Sequence, residues 1–161
     1  MAFNNQVYHH NKEAAFIQKL SDYCKETNKW FVDCTGTKAD YIEGIDCYID
    51  RRPYDLKCSD TKKLTIHKTL PNGYQYKPQE RHIDVPYLYC LPTSGLCYVI
   101  TKAELSAYIE YYKQAGKLSS MLSNYSGDGN QNVCIDIGPM LLNKEPLFKI
   151  KKEDPWDFLY L

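Results

Sequence analysis

Residues 44–57 read GIDCYIDRRPYDLK, in which two apolar segments flank an Arg-Arg-Pro sequence at 51–53. Isoleucine and tyrosine favour strands, whereas proline fixes φ and donates no hydrogen bond to a strand ladder. The stretch therefore predicts two antiparallel strands, at 41–50 and 54–58, joined by a tight turn at the two arginines.

A two-residue turn at Arg51 and Arg52 determines which side chains of this hairpin share a face. It places Asp46 opposite Lys57, with Asp55 two residues away on the second strand. Side chains alternate between the faces of a sheet, so these three project from one face. Directly opposed Cβ atoms lie roughly 4.5–5.5 Å apart, and diagonal neighbours about 7–8 Å. The hairpin is thus predicted to bring two carboxylates and one ammonium together.

This combination of groups indicates phosphodiester chemistry. Two carboxylates are hard oxygen ligands that suit Mg²⁺ or Mn²⁺. Such an ion lowers the pKa of a bound water and neutralises charge on a phosphate. A lysine two residues after the second acid can hold the attacking water or stabilise the charged phosphorane. The aspartates need no special pKa for this role, because the ordinary value of about 3.9 leaves them ionised at neutral pH.

The run GID…YDLK resembles the PD-(D/E)XK nuclease superfamily, especially its Holliday-junction-resolvase-like and restriction-endonuclease-like members. The resemblance implies that Asp46 is the first metal ligand, Asp55 the second and Lys57 the catalytic lysine. Members often add a glutamate from the first helix, and Glu13 matches that catalytic and metal-binding role. The resemblance also implies a Mg²⁺- or Mn²⁺-dependent endonuclease that cleaves DNA and forms a homodimer. One feature departs from the family pattern, because Gly-Ile stands where a proline usually precedes the first acid.

Two helices are predicted. The segment 12–26 has one face with apolar spacing, and that face is headed by Glu13, an acid where an apolar residue is expected. Glu13 is equally well explained as a first-turn acid that the helix dipole favours. Thr101 and Glu104 have the spacing of a capping box, which predicts a second helix from 101 to 114.

The order of elements predicts an α/β (α+β) fold with a mixed central sheet flanked by helices, like the restriction-endonuclease core. Strands are predicted at 29–34, 41–50, 54–58, 64–69, 83–91, 96–100 and 133–137. The length of 161 residues fits a single domain, 1–161. By resemblance, its nuclease-like core spans about 10–115 and a C-terminal extension spans about 116–161.

The formal net charge is zero, so the whole molecule has no field that would attract nucleic acid. Any attraction must come from a local basic face or from bound metal. Arg51 and Arg52 at the hairpin tip, and Lys62 and Lys63 beyond the second strand, are the candidate phosphate contacts. A solvated turn and ordinary surface lysines explain these four residues equally well.

The seven cysteines show no C-x-x-C pair, which disfavours a zinc ribbon. Several lie inside apolar runs, such as Cys47 in IDCYI and Cys90 in YLYCL, and we expect reduced thiols that serve as small core residues. The N-terminal segment has no apolar leader and no stretch has the length of a membrane span. These patterns predict a cytoplasmic protein.

Two other functions remain open from the sequence. The C-terminal tail contains Trp156, Phe158 and Tyr160, and aromatic residues are favoured anchors in protein interfaces. The chain could therefore be a nuclease-like fold that acts as a protein-binding module, for instance a phage or mobile-element factor, with a protein partner on this tail. A nuclease directed at RNA is the third interpretation.

Overall fold

The structure is a computed structural model that describes residues 5–69, 75–78, 84–124 and 132–150. A six-stranded mixed sheet lies at its centre. The strands are β1 (Phe31–Asp33), β2 (Cys47–Ile49), β3 (Arg52–Cys58), β4 (Lys63–Thr69), β5 (Gln75–Pro78), β6 (Tyr87–Cys90), β7 (Leu96–Ile100), β8 (Leu122–Asn124), β9 (Asn132–Asp136) and β10 (Phe148–Lys149). Six of them form one sheet in the order β1-β2-β3-β6-β7-β10, in which β3 and β6 are parallel and the other neighbours antiparallel. The other four form an antiparallel sheet in the order β5-β4-β9-β8. The predicted mixed α/β architecture is confirmed.

Helix α1 (Asn5–Glu26) covers one face of the six-stranded sheet. Its buried stripe includes Phe16 and Leu20, which pack in one apolar cluster with Leu56 of β3 and Leu88 of β6. Burial of each such side chain contributes about 1.5–3 kcal/mol. The predicted first helix is confirmed, although it begins at Asn5 rather than at residue 12. Across the described ranges, no helix combines the length and the apolar character needed to cross a membrane.

The opposite face of this sheet packs against the second sheet and helix α2 (Lys102–Gln114). Leu64 and Ile66 of β4 share an apolar cluster there with Leu105 of α2. The hydroxyl of Thr101 accepts a hydrogen bond from the Glu104 N–H at 3.0 Å, and the Thr101 N–H donates back to the Glu104 carboxylate at 3.5 Å. The predicted capping box and second helix are therefore confirmed.

The turn between β2 and β3 lies one residue earlier than predicted. Ile49 pairs with Arg52, which leaves Asp50 and Arg51 as the two turn residues, with φ of 48° and 68°. Aspartate tolerates this left-handed conformation, and the Asp50 carboxylate accepts a hydrogen bond from the Trp30 N–H at 3.0 Å. Moving a two-residue turn by one position changes every pairing by two residues. The predicted register is therefore wrong, but the prediction of which residues share a face is unaffected.

The predicted strand at 41–50 is wrong in its first half. Residues Ala39–Glu43 form a π-helical segment, and Gly44 ends it with a φ of 71°. The Ile45 N–H donates to the Ala39 carbonyl at 3.1 Å, which turns the chain before β2 begins. Only Cys47–Ile49 remain in the sheet, because the left-handed residue at position 44 interrupts an extended conformation.

Residues beyond 115 contribute to both sheets. β9 pairs with β4, and β10 pairs with β7. Two further short helices, α3 (Leu118–Met121) and α4 (Gly138–Leu142), lie in this part of the chain. Gly95, with a φ of 79°, lets the chain after β10 approach closely, since a Cβ there would lie 2.2 Å from the Ile150 carbonyl oxygen. Trp156, Phe158 and Tyr160 lie outside the described residues.

The cysteines largely behave as small core residues, as predicted. Five of the seven are buried, namely Cys24, Cys34, Cys47, Cys90 and Cys97. Four of these belong to the cluster beneath α1. Burial raises the pKa of the Cys24, Cys34, Cys47 and Cys90 thiols above its ordinary value, which disfavours the reactive thiolate.

Glycine substitutions distinguish the observed turn from the predicted one. Arg51→Gly is expected to raise the free energy of unfolding by about 0.5–1 kcal/mol. A left-handed φ costs residues other than glycine about 1–2 kcal/mol, and the substitution removes this cost. The greater entropy of glycine in the unfolded state cancels part of the gain in stability. Arg52→Gly is expected to lower it by about 1 kcal/mol, because glycine weakens a strand. Urea unfolding of both variants measures the difference, and the opposite ranking would place the turn at Arg51 and Arg52.

Candidate functional site

The hairpin of β2 and β3 brings Asp46 close to Asp55. The paired register ends at Cys47 and Tyr54, and Asp46 and Asp55 each lie one residue beyond that last pair. Asp55 is only 5% exposed, and Asp46 is half-buried. The charge of Asp55 acts on the Asp46 carboxyl. The two carboxylates are therefore neighbours, whereas the sequence predicted that Asp46 would face Lys57.

Asp46 lies where β2 departs from β3. Its N–H donates to the carbonyl of Tyr54 at 2.9 Å, the residue that Cys47 already pairs with, so Asp46 and Cys47 both lie against Tyr54 as in a β-bulge. The next amide on β3, that of Leu56, donates instead to Oδ2 of Asp46 at 2.7 Å. On the other side, the Asp46 carbonyl accepts a hydrogen bond from the Cys34 N–H at 2.9 Å. The β3 backbone therefore fixes the position of the Asp46 carboxylate.

Lys57 projects from the same face of β3, two residues after Asp55. Its Nζ lies 3.4 Å from Oδ1 of Asp55, and its side chain is 33% exposed. Burial lowers the pKa of Lys57, but the charges of Asp55, Glu13 and Asp46 raise it, and the net result lies above the ordinary value. Lys57 is therefore a firmly protonated cation among carboxylates.

Glu13 of α1 belongs to the same group of charges. Its negative charge raises the pKa of both Asp46 and Lys57, although α1 packs on the face of the sheet that carries Leu56. Because α1 begins at Asn5, Glu13 lies more than two turns into the helix. A favourable interaction with the helix dipole is confined to the first turn, so that explanation of Glu13 does not apply. The structure thus brings Asp46, Asp55 and Lys57 together, and Glu13 acts on them through its charge.

The environment of Asp46 strongly disfavours its ionised form. Burial raises the pKa of Asp46 to about 8, and the adjacent Asp55 charge adds to this effect. The hydrogen bond from the Leu56 N–H opposes it, but does not outweigh it. The expectation that these aspartates keep ordinary pKa values is therefore wrong for Asp46. Sequence spacing could not show this, because the shift depends on burial and on a neighbouring carboxylate.

Apolar and aromatic side chains account for that burial. Cys34, Ile45 and Val85 form a small buried cluster on which Tyr48 packs. On the other side, Tyr87 is the partner of Asp55 in the parallel pairing of β3 and β6, and it is 1% exposed. The carboxylates lie between these walls, where water can solvate them only partly.

The donor set fits a small divalent cation. Asp46 and Asp55 offer opposed carboxylate oxygens, and Mg²⁺ commonly takes one or two carboxylates while waters and phosphate oxygens fill its other positions. Within the described ranges, no three His, Cys, Asp or Glu side chains are already arranged to hold one metal ion. The repulsion between the carboxylates, which raises the pKa of Asp46, is what a cation would relieve. Asp46 and Asp55 are therefore the residues that would hold the ion, with Glu13 nearby.

The two arginines of the hairpin differ in their placement. Arg51 is an exposed turn residue. Arg52 is hydrogen-bonded through its side chain to Tyr54, which belongs to the cluster beneath α1. Arg52 therefore lies toward the face opposite the carboxylates. A phosphate bound at Asp46 and Asp55 would lie on the other face of the sheet from Arg52.

Lys62 and Lys63 are exposed at the start of β4, in the second sheet. The Tyr89 hydroxyl donates to the Lys63 carbonyl at 3.0 Å and accepts from the Lys63 N–H at 3.1 Å. Tyr89 is in turn the partner of Lys57 across β3 and β6. The two lysines thus connect to the site through Tyr89 and lie beside it rather than in it.

Sequence reasoning missed two aromatic residues that border the site, Tyr48 and Tyr87. Alternation along β2 could have identified Tyr48, because it is two residues after Asp46 and shares its face. No local pattern identifies Tyr87, because it meets Asp55 only through the parallel pairing of strands that are distant in sequence.

The raised pKa of Asp46 predicts a specific dependence of stability on pH. The carboxyl binds its proton more tightly in the folded state, so its contribution is fully present below the unfolded pKa of about 3.9 and is lost as pH rises through the folded pKa of about 8. From about pH 6 to 8 we expect the free energy of unfolding to fall by about 1–2 kcal/mol. Lys57 stays charged in this window and does not contribute to the change.

Asp46→Asn keeps an oxygen acceptor for the Leu56 N–H and removes the titration, so its stability should be nearly flat over the same window. Asp22→Asn, at an exposed position of α1, is the matched control and should retain the wild-type slope. Urea unfolding at several pH values measures all three proteins. An equal slope in wild type and Asp46→Asn would contradict the assignment.

Comparison of this chain with known proteins found no relative. Models of protein families, curated proteins and solved structures were all searched, and none matches this chain. The resemblance to PD-(D/E)XK nucleases therefore rests on the residues of this chain and stays a prediction.

Proposed function

We propose that the chain is a metal-dependent nuclease that hydrolyses phosphodiester bonds within DNA strands, with a restriction-endonuclease-like core. The observation that best supports this proposal is the convergence of Glu13, Asp46, Asp55 and Lys57. A helix, two strands and a tight turn all contribute to that convergence. Three carboxylates against one ammonium leave excess negative charge, and that charge suits a divalent cation.

Each residue has a role that follows from its placement. Asp46 and Asp55 would hold Mg²⁺ or Mn²⁺, which when bound would supply positive charge to the phosphate and a water of lowered pKa. Lys57 orients the attacking water and neutralises charge that builds on the phosphate oxygens. The water oxygen bonds to phosphorus as the bond to the leaving oxygen breaks. Glu13 is the neighbouring carboxylate that takes up the released proton through water.

Cleavage of a substrate panel tests this function. Linear duplex, single strand, four-way junction and RNA are incubated with Mg²⁺, Mn²⁺ or EDTA. We expect cutting that EDTA abolishes and that Asp55→Asn and Lys57→Ala each reduce by about 10²–10³-fold, because each removes one charged group at the reacting phosphate. Asp22→Asn should cut as wild type does. Metal-dependent cutting that survives Asp55→Asn in a folded protein would refute the site.

Metal binding can be measured without activity. Mn²⁺ is expected to raise the melting temperature of the protein, because a ligand of the folded state alone stabilises it. The increase should be larger at about pH 8.5 than at about pH 6.5, since the ion must displace the Asp46 proton. Asp46→Asn should lose most of the increase, whereas Asp22→Asn should keep it. The same increase in Asp46→Asn at both pH values would exclude Asp46 as a ligand.

The other predicted partners stay predictions. The aromatic tail that could bind a protein lies outside the described residues, and neither an RNA substrate nor a homodimer has a specific contact in its favour. A folded protein that cuts no member of the panel and binds no metal would favour the protein-binding module. Cutting of RNA alone would favour the RNA-directed nuclease.

A further inference from the structure

A partly exposed aromatic strip lies at the β1 edge of the six-stranded sheet, with Tyr48 half-buried against its neighbours. It consists of Trp30, Val32 and Tyr48. Trp30 is 51% exposed and Val32 is 37% exposed. Val32 pairs with Tyr48 across β1 and β2, and the Trp30 ring lies 6.3 Å from the Tyr48 ring at an angle of 58°. Single exposed apolar residues are ordinary, but three neighbours that form a continuous surface mark a contact site.

The aromatic strip leads directly to the carboxylates. Tyr48 follows Asp46 by two residues at the start of β2, so their Cα atoms lie at most about 7 Å apart. Tyr48 pairs with Pro53, which makes Asp55 its diagonal neighbour at roughly 7–8 Å. A nucleotide whose phosphate is held at Asp46 and Asp55 can therefore extend a neighbouring base toward Tyr48 and Trp30.

The position of Trp30 is fixed by the same hairpin that carries the carboxylates. The Trp30 N–H donates to Oδ1 of Asp50 at 3.0 Å, and the Asp50 N–H donates to the Trp30 carbonyl at 2.9 Å. Asp50 is the first residue of the turn between β2 and β3. The Trp30 backbone is therefore anchored to the hairpin that carries the carboxylates.

Two basic side chains lie at this end of the sheet. Lys29 lies 3.9 Å from Asp50, and Arg51 is exposed in the turn. Arg52 lies toward the opposite face of the sheet and does not belong to this set. Cationic and aromatic side chains together are the combination that binds single-stranded nucleic acid, since cations contact the phosphates and rings stack on the bases.

We propose that Trp30 and Tyr48 form a stacking platform for an unpaired base next to the phosphate held at Asp46 and Asp55. The substrate class is thus DNA that is single-stranded or locally unpaired beside the cut. In a duplex each base is already stacked on its neighbours, whereas an unpaired base offers its face to an aromatic side chain. The location of the cut phosphate rests on the proposed function, but the platform itself can be tested by binding alone.

Fluorescence of Trp30 tests the platform. The chain has two tryptophans, so Trp156→Phe leaves Trp30 as the reporter. A labelled oligo(dT) of about 10 nucleotides is titrated at low salt and about pH 6.5 in EDTA, which prevents cutting and limits repulsion by Asp46. We expect quenching of Trp30 emission. Trp30→Ala and Tyr48→Ala should each weaken binding, measured by anisotropy of the label, by about tenfold or more.

Two comparisons make the result specific. Tyr111→Ala removes an aromatic side chain that is 68% exposed on α2, and it should leave binding unchanged. Trp30→Phe keeps an aromatic ring and should retain more affinity than Trp30→Ala. A blunt duplex of the same length should bind more weakly and leave Trp30 emission unchanged.

The platform is overturned if oligo(dT) does not bind, if Trp30→Ala binds as tightly as wild type, or if the duplex quenches Trp30 equally. Metal-dependent cutting that requires Asp55 would then still support the nuclease. Conversely, quenching and Trp30-dependent binding without any cutting would support the platform and refute the nuclease. The two proposals therefore fail separately.

Discussion

The hydrogen bond from the Leu56 N–H to the Asp46 carboxylate stands where two strands separate, and the candidate site depends on it. Up to Asp46, β2 and β3 are paired by their backbones. Beyond it the Asp46 carboxylate, instead of a backbone carbonyl of β2, accepts the hydrogen bond from the Leu56 N–H of β3. The β3 backbone therefore holds this carboxylate at the end of the ladder. Asp55 lies next to it, because the two-residue turn at Asp50 and Arg51 sets the pairing that ends at Cys47 and Tyr54, one residue before each acid.

Holding two carboxylates in this way has an electrostatic consequence. Burial, and next the charge of Asp55, raise the pKa of Asp46 to about 8, so Asp46 retains its proton at neutral pH. Lys57 adds a positive charge and Glu13 a negative one, and these two cancel. The charge of Asp55 remains, so the cluster is acidic overall. An arrangement of this kind favours binding of a cation over closed ion pairing within the protein, which is why the proposed chemistry begins with a metal.

The two faces of the six-stranded sheet have different roles. Beneath α1 lie leucines and most of the buried cysteines, an apolar surface that stabilises the fold. The other face is divided between a core with the second sheet and a more open part at the β1 edge. The carboxylates lie at this division, with the aromatic strip of Trp30, Val32 and Tyr48 on the open side. A substrate could reach them from that side without disturbing either core.

Local patterns in the sequence were sufficient to predict the mixed α/β class, the capped helix α2 and the sharing of one face by Asp46, Asp55 and Lys57. Alternation and capping act between residues close in the chain, so a one-residue error in the turn left the shared face intact. The tertiary structure alone decided the π-helical segment before β2, the parallel pairing that sets Tyr87 beside Asp55, and the approach of Glu13 from more than two turns into α1. It also decided the pKa of Asp46, because burial and the distance between charges depend on contacts between segments that are far apart in sequence.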